Sequence, residues 1–181
     1  IRPDEEKTVK EFYEKNLGII DTLVFNLSFG DVLKSARRGM GTTFVATKDG
    51  KIVGSFSVRL QNHRGKRVGF IDAIVTNKNL RGKGIGTSLF DECLKWFQER
   101  NCEVILATAD RYNSPSWNMF IRKGFTVYET KDQIKEFGWT FLRLWLTEFY
   151  FIAIGSFFLR KGSKKDKPRE TGQFLNLLTA W

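Results

Sequence analysis

Residues 68 to 100 read as a strand, a glycine-rich loop and a helix in direct succession, and few architectures accept that order with these residues. Val68 to Thr76 is nearly apolar, with Asp72 its one charged residue. Asn77 to Gly86 carries the string Arg81-Gly82-Lys83-Gly84-Ile85-Gly86. From Thr87 to Arg100, Leu89, Phe90, Cys93, Leu94 and Phe97 recur on one helical face. A strand that turns at once into a helix gathers successive backbone N–H groups and the helix N-terminus at one point, where a pyrophosphate can be held. Glycines permit the turn and let a ligand approach the backbone. Arg81 and Lys83 add positive charge beside it. On residues alone a second reading stays open, a tight turn whose glycines serve packing. The loop is not a P-loop, which needs GxxxxGK followed by Ser or Thr. It is not a dinucleotide fingerprint either, because Gly82, Gly84 and Gly86 have the wrong spacing for GxGxxG.

The flanking segments extend this unit. Ile1-Arg2-Pro3 reads as the end of a short strand. Asp4, Glu5 and Glu6 suit the start of a helix that buries Val9, Phe12, Tyr13 and Leu17 and ends near Asn16 to Gly18. A second helix is expected over about 20–38, divided by Gly30. Phe44 to Thr47 and Ile52 to Leu60 are expected as strands around Asp49-Gly50, a strong hairpin signal. After residue 100 come a strand at Val104 to Ala109 and a helix at Ser114 to Arg122, capped by Ser114 and stopped by Gly124. Strands are expected at Phe125 to Tyr128 and Phe141 to Leu146. This order predicts an α/β (α+β) domain with a single mixed, mostly antiparallel sheet flanked by helices. The domain is expected over 1–147. A C-terminal extension over 148–181 then carries an apolar segment, a mobile basic linker at Ser163 to Gly172, and a second apolar stretch from Phe174.

Composition narrows the function classes. Only Cys93 and Cys102 are present and no CxxC pair exists, so neither a disulfide framework nor a metal site is expected. A reducing cytoplasm is the simplest setting, and the start of the chain lacks a signal-peptide pattern. The net charge of +10 favours an anionic partner: a nucleotide cofactor, an acidic substrate, nucleic acid or a membrane surface. No interleaving of aromatic and basic residues supports nucleic acid. The uncharged run Phe149 to Leu159 is far shorter than the about twenty residues a membrane span needs. Extended back to Trp139 it includes Arg143 and Glu148, each costing roughly 3 kcal/mol at mid-membrane. Core packing or a homodimer contact is the expectation for this run. An interfacial helix beside Arg160, Lys161, Lys164 and Lys165 is the alternative.

Taken together, Arg81, Gly84 and Gly86 in RGKGIG, then Asn113, Ser116 and Met119, then the ending Arg122-Lys123-Gly124-Phe125, resemble the GCN5-related N-acetyltransferase family. The hairpin Phe44 to Leu60 and the opening Ile1-Arg2-Pro3 are similar as well, and the resemblance covers residues 1 to about 147. It implies the acyl-CoA N-acyltransferase fold, acetyl-CoA as co-substrate without a metal, and transfer of the acetyl group to an amine. That amine would be a protein N-terminus, a lysine or a small molecule. Backbone N–H groups of Gly82, Lys83, Gly84, Ile85, Gly86 and Thr87, with Arg81, would hold the cofactor pyrophosphate. Ile74, Val75 and Thr76 would bond the pantetheine arm and direct the acetyl carbonyl. Asn113 would contact the cofactor, and Phe120 and Lys123 would flank it. On residues alone Asn113 is equally a turn or helix-cap residue, and Phe120 equally a core residue.

Acyl transfer needs a neutral amine, donors for the oxyanion and a proton for the departing thiolate. Asp72 is the candidate base, since burial in an apolar strand raises a carboxylate's pKa. Solvent exposure or pairing with a nearby Arg is its other reading. The family commonly places a Tyr where Phe120 stands, and Phe has no proton to give. Tyr112 is the named candidate acid, with Tyr128 and Tyr150 as further substitutes. Without an acid the chain would be a non-catalytic acyl-CoA-binding regulatory protein, the alternative reading. Asp110 and Arg111 are candidates for lining the substrate cleft or forming a loop salt bridge. His63 reads as surface and Cys93 as core. Asn26 to Gly41 falls where the family's variable substrate helices lie.

Overall fold

The computed structural model describes residues 5–63, 65–110, 113–127, 130–138 and 156–162. In chain order the elements are helices α1 (Glu6–Asn16) and α2 (Ile19–Arg37), strands β1 (Gly41–Lys48), β2 (Lys51–His63) and β3 (Lys66–Thr76), helix α3 (Ile85–Glu99), strand β4 (Val104–Asp110), helix α4 (Ser114–Arg122), strand β5 (Thr126–Val127), helix α5 (Thr130–Phe137) and strand β6 (Ser156–Gly162). The strands hydrogen-bond in the order β1-β2-β3-β4-β6-β5. Contacts gather the chain into two units, Ile1–Gln61 with Gly69–Cys102, and Asn62–Val68 with Glu103–Trp181.

In the first unit, β1 and β2 form the expected hairpin. Asp49 and Gly50 both have positive φ (51° and 70°), the twist that a two-residue hairpin turn requires. Gly41 lies opposite Arg59, and the register slips after Ala46, leaving Val53 as an extra residue on β2. Beyond that slip β2 alternates cleanly. Phe56 stacks on Phe90 of α3 at 5.2 Å. Gly54, on the same face, lets α3 come close, because a Cβ there would lie 2.7 Å from Ile85 and 2.8 Å from Leu89. Ser55, Ser57 and Arg59 face the other way, where Tyr13 of α1 bonds Ser55 and Ser57. Val9, Phe12 and Tyr13 of α1 join Phe25, Phe29 and Val75 in one core cluster.

Gly30 does not divide the second helix. It sits exposed with open space where a Cβ would go, at a propensity cost of about 1 kcal/mol. Burial of Phe25, Phe29 and Val32 along the same helix outweighs that. Strand β3 carries a second irregularity. Gly69 lies against the Phe97 ring of α3, so Phe70 and Asp72 face the α1 side, where both meet Arg59. Ala73 and Val75 also pack with the α1–α2 cluster. Alternation therefore slips by one residue between Asp72 and Ala73, and the two neighbours share a face.

In the second unit, Glu103 donates its N–H to Arg67 at the opening of β3. Strand β4 is buried from Val104 to Ala107 and pairs antiparallel with β6 along its whole length, Val104 opposite Gly162 and Asp110 opposite Ser156. Strand β5 pairs with the other edge of β6. The end of the apolar run at 149–159 thus opens a strand, and its Leu159 is fully buried. Glu136 of α5, a helix the periodicity did not announce, accepts from Lys66 at 3.1 Å and from Arg160 at 2.8 Å. The strand expected at 141–146 and the linker and apolar stretch after 162 lie outside the described residues. Among those described, no helix is long and apolar enough to cross a membrane.

Candidate functional site

The loop after β3 is tied down at its start. Asn77 accepts from the Asn79 N–H at 2.9 Å across a 3-10 turn at Lys78–Leu80. Asn16, at the end of α1, accepts from the Lys78 N–H at 3.3 Å and donates to Phe12 O at 2.8 Å. Asn16 is a residue that sequence reasoning placed only at a helix end. Beyond the turn the chain reverses through Gly82 (φ 77°) and Gly84 (φ 80°), conformations that L side chains adopt only with strain. Gly84 precedes α3 and offers no capping side chain, and the first turn holds no acidic residue. Among the described residues no capping side chain accepts from the opening N–H groups of α3, and Arg81 and Lys83 are exposed beside them. That combination suits an anion. A groove of about 290 Å³ flanks the loop, lined by Ala46, Lys83, Ile85, Ser88, Leu89 and Glu92. Its Glu92 carboxylate and apolar floor suit a phosphate less well than the loop N–H groups do.

Earlier on β3, Asp72 is gripped by its neighbouring strand: Arg59 Nε donates to Asp72 Oδ1 at 2.7 Å. Both side chains are nearly buried, 13% and 11% exposed. The other oxygen, Oδ2, is buried and has no hydrogen-bond partner among the described residues. Burial pushes the Asp72 carboxyl above its ordinary value, more strongly than the charge and hydrogen bond of Arg59 pull it back, and the charge of Asp31 adds to the rise. Beside the pair runs a chain of hydroxyls. Ser55 Oγ donates to the Tyr13 hydroxyl at 3.0 Å. Tyr13 and Ser57 lie 3.0 Å apart, and Ser57 and Thr43 2.9 Å apart. Burial pushes the Tyr13 hydroxyl up to about 12, so it stays protonated. Sequence reasoning missed Arg59, Ser55, Ser57 and Thr43. The available signal was the polar alternation Ser55, Ser57, Arg59 in a strand that is otherwise apolar.

The first unit therefore brings Asp72, Ile74, Val75 and Thr76 together on β3 with Arg81 to Thr87 following directly. The other candidates belong to the second unit. Asn113 caps α4, its side chain accepting from the Ser116 N–H at 3.3 Å, so Ser116 receives the cap and Ser114 is the first helical residue. Phe120 is 1% exposed and meets Phe125 edge-on at 5.1 Å. The carbonyl of Lys123, at the end of α4, accepts from Lys161 Nζ. Tyr112, Tyr128, Tyr150 and Arg111 lie outside the described residues. Cys93 is fully buried, and burial pushes its thiol up, leaving it protonated and inert. Among the described residues no group of three or more His, Cys, Asp or Glu is placed to hold a metal ion.

Residues 6–125 match the family model described as "Acetyltransferase (GNAT) family". The N-alpha-acetyltransferase MAK3 of Arabidopsis thaliana is 32% identical over 82 residues, covering 45% of this chain and 43% of that protein, so the match spans less than half of the relative's length. A putative GNAT-family acetyltransferase from Desulfovibrio desulfuricans superposes with a TM-score of 0.63 at 13% identity, over 88% of this chain and 93% of its own. Arabidopsis thaliana Naa50, solved in complex with the bisubstrate analogue CoA-Ac-MVNAL, does so with 0.62 at 16% identity, over 90% and 95%. At these identities the two solved structures speak to fold.

Proposed function

Because the chain belongs to the acetyltransferase (GNAT) family, we propose that it moves an acetyl group from acetyl-CoA to an amine by direct attack in a ternary complex. The observation that carries this reading is the uncapped start of α3, opened by left-handed Gly82 and Gly84 with Arg81 and Lys83 exposed beside it. In this reading the N–H groups from Gly82 to Thr87 take the pyrophosphate, and Ile74 to Thr76 take the pantetheine arm. Asp72 receives the amine proton at Oδ2, the oxygen that Arg59 does not hold. The neutral amine nitrogen then bonds to the thioester carbonyl carbon, the C–S bond breaks, the thiolate takes a proton, and the nitrogen gives up its surplus proton to water. Phe120 has no proton to give, so Tyr112 is the proposed acid. A peptide α-amine is the first acceptor to test, which rests on the identity to an N-alpha-acetyltransferase. A reducing cytoplasm is the proposed setting, resting on the sparse cysteines of the chain.

A second reading, a non-catalytic acyl-CoA-binding protein, is favoured by Phe120, a core ring where the family commonly has a hydroxyl. Calorimetric titration with acetyl-CoA, paired with thiol-release assays on a panel of peptides and small amines, separates the two. Binding with acetylated peptide supports transfer. Binding with no product on any amine supports the second reading. No binding of any acyl-CoA at millimolar concentration removes both.

A further inference from the structure

We infer that Arg59 is a positioning residue for this site: it fixes Asp72 by one oxygen and leaves Oδ2 as the one atom of that carboxylate able to take the acceptor's proton. The inference rests on the proposed transfer reaction, and nothing in the family pattern named above involves Arg59. Three observations carry it. The Nε–Oδ1 distance of 2.7 Å is that of a charge-assisted hydrogen bond. The guanidinium is held from a second side by the Phe70 ring, 4.5 Å from its centroid. With the pair nearly buried, neither partner can swing into solvent. The slip in alternation after Asp72 then sets this clamped carboxylate beside Ala73, at the approach to Ile74, Val75 and Thr76.

The charges around Asp72 define what Arg59 does. From β2 it faces Arg59, from α1 the Tyr13 hydroxyl, and from α2 the field of Asp31. Tyr13 stays neutral. Asp31 is exposed and shares its charge with Lys34 at 3.4 Å. Burial and Asp31 favour the protonated acid, and Arg59 is the one named group that favours the carboxylate. A proton acceptor must be ionised to act, so loss of the Arg59 charge moves the acidic limb of kcat/KM to higher pH.

The test uses the full chain with Arg59→Met, which keeps an apolar stem over Phe70, and Arg59→Lys, which keeps the charge without the planar fork. Arg59→Met is expected to move the acidic limb upward by about one pH unit or more, so that the rate on that limb falls roughly tenfold, with acetyl-CoA affinity unchanged. Arg59→Lys restores the limb toward the wild-type position. Adding Arg59→Met to Asp72→Asn costs nothing further, because the two act as one. Carboxyl carbon NMR titration reads Asp72 directly, with or without turnover, and is expected to show it titrating at higher pH in Arg59→Met. If wild type transfers no acetyl group, the proposed function fails while the titration still judges the Arg59–Asp72 link. An unmoved limb or an unmoved titration in folded Arg59→Met overturns the inference, as does additivity of the two substitutions. Should Arg59→Met fail to fold, the limb and titration of Arg59→Lys decide instead, a downward shift in either being the overturning result.

Discussion

At residue scale, Asp72 and Tyr13 share one face of the sheet and have opposite tasks. In the proposed reaction Asp72 changes its proton, and Tyr13 keeps its own. Removing the carboxylate by Asp72→Asn is expected to lower kcat by about 10² to 10⁴ and leave acetyl-CoA affinity unchanged, read by steady-state kinetics beside calorimetry. The same group links stability to pH. Its folded pKa is raised, so its favourable contribution is complete below the unfolded value of about 3.9 and is lost as pH rises through the folded value. The stability of wild type relative to Asp72→Asn should therefore decline between pH 4 and pH 8, measured by urea unfolding at both. An increase would mean that Arg59 outweighs burial. Tyr13→Phe keeps the stack on Phe25, whose centroid lies 4.1 Å away. It takes the hydrogen-bond acceptor from the fully buried Ser55 hydroxyl, while Ser57 keeps Thr43 at 2.9 Å. The expected loss is about 1–3 kcal/mol in the same unfolding experiment.

At the scale of elements, two glycines separate backbone demand from packing demand. Gly84 has φ 80° and open space where a methyl group would stand, whereas a Cβ on Gly69 would lie 2.4 Å from the Phe97 ring. Gly84→Ala should cost about 1–2 kcal/mol through backbone strain alone and weaken acetyl-CoA binding as the loop N–H groups turn away. Gly69→Ala should cost about 1–3 kcal/mol through overpacking and leave that affinity intact. Thermal melts and calorimetry on both variants check the contrast, and equal losses of affinity would refute it. These elements also show what the sequence could disclose. The strand, loop and helix from 68 to 100 were legible because their signals are local: apolar periodicity, glycines and a hairpin dipeptide. The continuity of α2 was not, since Phe25, Phe29 and Val32 override Gly30 only once they meet the sheet. Strand β6 owes its form to pairing with β4 and β5, which no window around Ser156 to Gly162 contains. The Arg59–Asp72 bond needs the cross-strand register and the slip beside Ala73, and neither has a short-range signature.

At the scale of the whole molecule, the net charge of +10 announces an anionic partner without locating it. The proposed site gives it a location, because Arg81 and Lys83 stand exposed at an uncapped helix start. Acetyl-CoA carries several phosphate charges, and exposed charges are screened over a Debye length of about 10 Å at 0.1 M salt and 3 Å at 1 M. The KM for acetyl-CoA should therefore rise several-fold from 0.05 to 0.5 M salt, while kcat, which the proposed mechanism assigns to the nearly buried Asp72 and its partner, stays level. Two sources of attraction make different predictions for the double variant Arg81→Ala with Lys83→Ala. If the pair beside the loop dominates, the salt dependence of KM is nearly abolished. If the field of the whole chain dominates, KM rises but the slope persists, since the many remaining cations still draw the ligand in. Screening over 10 Å leaves only near charges effective, so the local outcome is the expected one. A KM indifferent to salt in wild type would show that the loop holds its ligand by backbone N–H groups without help from either lysine or arginine.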